Sequence, residues 1–167
     1  MDEKERLRLG LQHTRRFTDL VLADIVEQDD WIRRPVPGSN HALWIAGHLA
    51  VATNAFIGWV DASQRDELGD YAELFGKGSD PLDQLQAYPN PDDVQRRLQE
   101  RGNAFLQLLQ RTEPEEFSRE VSEGPEFMHD VGSVFQMAIW HESLHAGQLT
   151  VIHRMIGRPA FTARSTT

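Results

Sequence analysis

Three features of this sequence predict an all-α four-helix bundle with a long crossover between its second and third helices. Apolar residues recur at helical spacing in four separate segments, and none sustains the period-2 alternation of a strand. The segments are bounded by residues suited to cap or stop a helix. The gap between the second and third segments, residues 61–90, spans about thirty residues, where bundle connections usually take about 2–8.

The first segment runs from about Glu3 to Gln28, with Leu7, Leu11, Val21, Leu22 and Ile25 on one stripe. Thr14 and Thr18 share that stripe and make its middle more polar. The second follows Pro35-Val36-Pro37-Gly38, is open to capping by Ser39 or Asn40, and continues to about Val60. The third opens near Pro91-Asp92, where proline suits a first turn, and runs to about Arg111 on Val94, Leu98, Phe105, Leu108 and Leu109. The fourth spans about Val131 to Ile156, with Asp130 as its cap and Gly157 and Pro159 as its stop.

The crossover is long enough to pass from one end of a bundle to the other. The second and third helices can then run parallel, giving an up-down-down-up order. It holds Gly69, Gly76, Gly78, Pro81 and Pro89, and it reads either as cover for a site or as a passive connection with a stray helical turn. No repeat or composition shift marks a second domain, so residues 1–167 are expected to form one bundle.

Bulk composition narrows the partners. A chain of 167 residues can bury a core without staples. The absence of cysteine excludes disulfides, thiolate metal sites and a cysteine nucleophile. The net charge of −9, from 17 basic against 26 acidic residues, argues against nucleic acid. The pairs Arg15-Arg16, Arg33-Arg34 and Arg96-Arg97 read as solvated helix faces. MDEKERLRLG is charged where a signal peptide would be apolar, and no run approaches the roughly 20 apolar residues needed to cross a bilayer. The expectation is a soluble cytoplasmic protein with no nucleic-acid or membrane partner.

The chemistry concentrates in His141-Glu142-Ser143-Leu144-His145. On a helix, positions i and i+4 lie about 40° apart and one turn along, so both imidazoles can reach one ion. A wheel centred on His141 puts Val134, Met137, Ala138, Leu144, His145, Gln148, Ile152, Met155 and Ile156 on its face. Two imidazoles buried there with no partner would cost several kcal/mol, which a metal removes. His48 supplies a third ligand, since it shares a face with Trp44, Ile45, Val51, Ala52, Ala55 and Trp59. Three histidines from two helices leave a coordination position open, the pattern of a catalytic site, and without sulfur ligands zinc or nickel is expected.

Gln148 is either an outer hydrogen-bond partner of the ligands or a mark of the wetter helix end. Glu142 is the candidate base, but its position about 100° from His141 points it partly away from the ion, toward a surface or supporting role. His41 is read as a helix-end surface histidine or as lining the mouth of the site. His153 points away from the ion, His13 is read as solvated and His129 as loop.

Two motif readings fail. His141-Glu142-x-x-His145 matches the zinc-protease pattern, but the downstream ligand position is Val151 and no glutamate follows Glu142. Glu126-x-x-His129 and Glu142-x-x-His145 match di-metal half-motifs, but those belong on separate helices and these lie 16 residues apart.

The runs Ser39-Asn40-His41-Ala42-Leu43-Trp44-Ile45-Ala46-Gly47-His48-Leu49 and His141-Glu142-Ser143-Leu144-His145-Ala146-Gly147-Gln148-Leu149 resemble the DinB-like superfamily, the DNA-damage-inducible and YfiT-like metal-binding bundles. The resemblance implies a four-helix bundle with a crossover after the second helix and a metal held by His48, His141 and His145. It also implies a small-molecule substrate, because some relatives are transferases or isomerases using thiols such as mycothiol, bacillithiol or glutathione. A thiol-dependent S-transferase is the expected activity; the alternative is a non-catalytic metal- or ligand-binding stress-response protein. Relatives are often dimers, and the apolar surplus at Leu9, Phe17, Leu20, Phe56 and Ile57 fits a homodimer.

Overall fold

The Asp2 carboxylate accepts a hydrogen bond from the Glu5 amide and starts α1, Glu3–Ala23, in the computed structural model, which describes residues 1–121 and 124–161. α1 stops short of the expected Gln28. A turn of 3-10 helix over Gln28–Ile32 then swings Trp31 back into the core, where it is 4% exposed. α2, Ala42–Val60, starts after His41 rather than after Ser39 or Asn40. The cap is the His41 ring itself, whose Nδ1 accepts from the Trp44 amide at 3.1 Å. Ser39 instead closes a local turn with Val36, and Asn40 reaches across to Gln148.

The crossover holds a five-residue helix, α3, Tyr71–Phe75, between short 3-10 turns. α4, Pro91–Arg111, is capped by Asn90 and opens on proline as expected. α5, Val131–Met155, begins with a reciprocal exchange of hydrogen bonds between Asp130 and Ser133 and stops before Gly157, whose φ of +83° suits glycine alone.

Cross-contacts fix the direction of each helix. Asn54 and Phe56 of α2 meet Arg101 and Phe105 of α4 in ascending order, so these two helices are parallel. Arg15 and Asp24 of α1 meet Glu142 and His153 of α5, again parallel. α2 and α5 are antiparallel, since Asn40 pairs with Gln148 while Phe56 lies against His141. The order is up-down-down-up, as the crossover length predicts. Among the described residues there is no strand, only one bridge between Glu120 and Asp130.

Two apolar clusters fill the bundle. One gathers Leu22, Ile25, Leu43, Phe75, Leu98 and Leu149; the other gathers Leu7, Leu11, Ile57, Phe105, Leu109 and Phe135. Between them lies a polar waist of Arg15, His141, Glu142 and His145, bordered by His48. Burying each side chain of the clusters contributes about 1.5–3 kcal/mol before entropy is counted.

Three expectations need correction. α2 is apolar enough, by length and composition, to cross a membrane, at mean hydropathy 1.4, but 78% of that window is buried inside the bundle. Phe56 and Ile57, expected on a dimer face, belong to the core of this chain at 5% and 1% exposure. Leu144, expected to face the core, is 49% exposed. α5 lies between α1 and α2, and its buried face is turned toward α1, taking in Phe135, Glu142, Ala146, Leu149 and His153.

Candidate metal centre

α2 delivers His48, and adjacent turns of α5 deliver His141 and His145, so that one ring nitrogen of each lies within 4.8 Å of the others. The ring centroids are 4.7–5.2 Å apart, and His48 Nε2 is 3.3 Å from His141 Nε2. The three histidines named by the helical wheel are therefore brought together.

Each ring is aimed by a different device. His48 Nδ1 lies 2.8 Å from the carbonyl oxygen of Phe75. Only an N–H can serve that oxygen, so Nδ1 carries the proton and Nε2 keeps its lone pair. The crossover thus orients the α2 histidine. It comes close because residue 47 is glycine: a Cβ there would sit 2.3 Å from the Phe75 ring. Trp44 stacks on His48 at 4.6 Å and anchors its indole N–H on Ser79 Oγ at 2.9 Å. His145 Nδ1 faces Gln148 Oε1 at 3.3 Å, and Asn40 donates to the same oxygen at 3.2 Å. Gln148 therefore stands where an outer hydrogen-bond partner of a ligand belongs.

His141 is the exception. Its Nδ1 is buried and meets no hydrogen-bond partner among the described residues. Burial, then the neighbouring His145 and His48, pushes its pKa down to about 3. Burial and then His48 lower His145 to about 4, and burial lowers His48. All three rings are held neutral near neutral pH, the form in which imidazole binds a metal. Convergent lone pairs, two fixed tautomers and low basicity fit a divalent ion, and this buried group can hold one.

The other histidines have structural work. His41 is fully buried, not at the surface; its Nε2 donates to the Leu82 carbonyl at 3.0 Å and ties the crossover to the start of α2. His153 is likewise buried, 2.6 Å from Asp24. His13 and His129 are exposed, as expected.

Glu142 is neither a surface residue nor a free base. It is 5% exposed, and both its oxygens engage Arg15, from Nε at 2.7 Å and Nη2 at 3.0 Å. The wheel turned it partly away from His141, and what it meets is Arg15 of α1. Arg15 itself was read as part of a solvated basic pair, yet its Nη1 donates to the Leu98 carbonyl at 2.7 Å. Gly102 of α4 makes the room, since a Cβ there would lie 2.7 Å from the guanidinium.

Beside His141 opens a cavity of about 240 Å³, whose polar lining includes Arg15, Asp19, Thr53, Gln99, Asn103 and Glu142. Sequence reading missed this chamber.

A family model of the DinB superfamily matches residues 11–149, a span that includes all three histidines. No curated protein matches the chain.

Proposed function

Taking as premise that the chain belongs to the DinB superfamily, we propose that it is a zinc- or nickel-dependent enzyme acting on a small molecule, with thiol S-transfer as its reaction class. The observation that carries this reading is the incomplete ligand set: three imidazoles converge, and no fourth protein ligand joins them among the described residues. A divalent ion at such a site supplies a Lewis acid that lowers the pKa of a thiol or water. The chain's own part is positional. Phe75 and Gln148 hold the His48 and His145 rings in the ligand tautomer, and Trp44 excludes water from one face of His48. Glu142 holds Arg15 rather than moving a proton, so a base must come from elsewhere in the cavity or from the substrate.

Elemental analysis of the purified protein tests the metal: about one equivalent of a first-row divalent ion is expected, and His145→Ala should lose it while staying folded. Absence of metal, with no uptake of added zinc or nickel, would sink the reading. Cobalt-substituted protein titrated with biological thiols tests the reaction class. A thiolate charge-transfer band that is absent in His145→Ala supports it. A spectrum unmoved by every thiol would leave a metal-binding protein without thiol chemistry.

A further inference from the structure

The wall of the cavity beside His141 is unbalanced in charge. Arg15 gives Nε and Nη2 to Glu142 and Nη1 to the Leu98 carbonyl, so its positive charge is matched by one carboxylate. A second carboxylate, Asp19, stands one turn further along α1 and lines the same cavity, with no hydrogen bond from any described residue. The amides of Gln99 and Asn103 and the hydroxyl of Thr53 complete the polar lining and bring no charge. Arg16 lies only on the outer groove between α1 and α4, into which the cavity leads past Arg15, Asp19, Gln99 and Leu106. One negative charge is therefore left over inside, on a side chain half withdrawn from water. Burial raises the Asp19 pKa, Arg15 lowers it and Glu142 raises it, so the carboxylate is short of stabilising partners.

We infer that this cavity binds a small molecule bearing a protonated amine, received by Asp19. The inference rests on the proposed metal reading only in placing the ligand's reactive end toward His141. A volume of about 240 Å³ lies below the ~300–1,000 Å³ of drug-sized sites, so the ligand is a compact one. An anionic ligand would meet an arginine already neutralised and a carboxylate that is not.

Three thiols of matched size and different charge provide the test: cysteamine, 2-mercaptoethanol and 3-mercaptopropionate, titrated by calorimetry into zinc-loaded protein. Cysteamine should bind about tenfold more tightly than 3-mercaptopropionate, and Asp19→Asn should bring the two within about twofold. Thermal melts establish that the variant is folded. A parallel titration of chelator-treated protein with n-butylammonium, followed by NMR, removes metal and thiol from the question; its shifts should disappear in Asp19→Asn. If thiols bind without regard to charge, or the anionic one binds best, the amine site is overturned and the thiol reading stands. If n-butylammonium binds through Asp19 and no thiol binds, the amine site stands and the thiol reading falls. Failure of both cations to bind overturns the amine site.

Discussion

The two flanks of the polar waist are built on opposite plans. On the crossover flank, side chains of α2 are tied to the backbone or side chains of residues 75–82: His48 to Phe75, Trp44 to Ser79 and His41 to Leu82. These three side chains have partners, and a glycine lets the crossover lie flush against the helix. On the opposite flank, toward α1 and α4, neither His141 Nδ1 nor the Asp19 carboxylate meets a hydrogen-bond partner among the described residues, and a cavity separates the helices. One flank fixes ring geometry at the expense of mobility. The other accepts unsatisfied groups in a protein whose cores elsewhere are apolar, and such exceptions concentrate where ligands bind.

The contrast can be broken from the chamber side first. Arg15→Ala strands the Glu142 carboxylate in a site where the pair's side chains are only 13% and 7% exposed. A loss of about 3–5 kcal/mol in urea unfolding is expected. Replacing both residues with leucine should recover most of that stability and, because the two charges cancel, leave the amine preference set by Asp19 in place. A loss no larger than about 1 kcal/mol, the ceiling for exposed pairs, would mean that water screens this one.

The strapped flank should respond less in stability and more in metal binding. Gly47→Ala drives a methyl group into the Phe75 ring and should cost about 1–3 kcal/mol as an overpacked contact. Because the Phe75 carbonyl orients His48, zinc affinity should fall by about 10–100-fold, the usual effect of disturbing an outer partner. Unchanged zinc affinity in a folded Gly47→Ala protein would separate the crossover from the ligand.

How much of this was legible in the sequence follows from which neighbours each side chain answers to. Helix existence, the Asp130 cap and the inward face shared by His141 and His145 depend on periodicity within one chain segment, and these could be read. The helical wheel failed where a second helix decided the matter. Centred on His141, it placed Leu144 inside and Glu142 at the margin, but α1 packs on α5 and turns its buried face toward Glu142 and His153. His41 looked like a surface residue because its crossover partner, Leu82, lies 41 positions away and no local pattern announces it. The cavity was illegible for the same reason: its lining comes from four helices.

His41 also supplies an effect that depends on pH. Burial lowers its pKa to about 4, against roughly 6.5 in the unfolded chain. Unfolding therefore takes up a proton between those values, and the His41 contribution is complete above about pH 6.5 and fades as the pH falls toward about 4. Metal-free protein should lose stability across that window in urea titrations, and His41→Asn, which keeps a capping oxygen, should show a shallower slope. An identical slope in wild type and variant would assign the acid sensitivity to other groups.

The parallel pairing of α1 with α5 bears on how the chain reaches this state. Arg15 meets Glu142 and Asp24 meets His153 across separations of 127 and 129 residues. Helical bundles usually fold quickly because their contacts are local, and these are not. During synthesis at about 5–20 residues per second, the apolar stripe of α1 must wait several seconds or more for its partner to be made. For that interval the first helix is an exposed amphipathic surface, and two of the three converging histidines do not yet exist. A site that needs all three is thus complete only at the final stage of assembly, after the last long helix has closed the bundle.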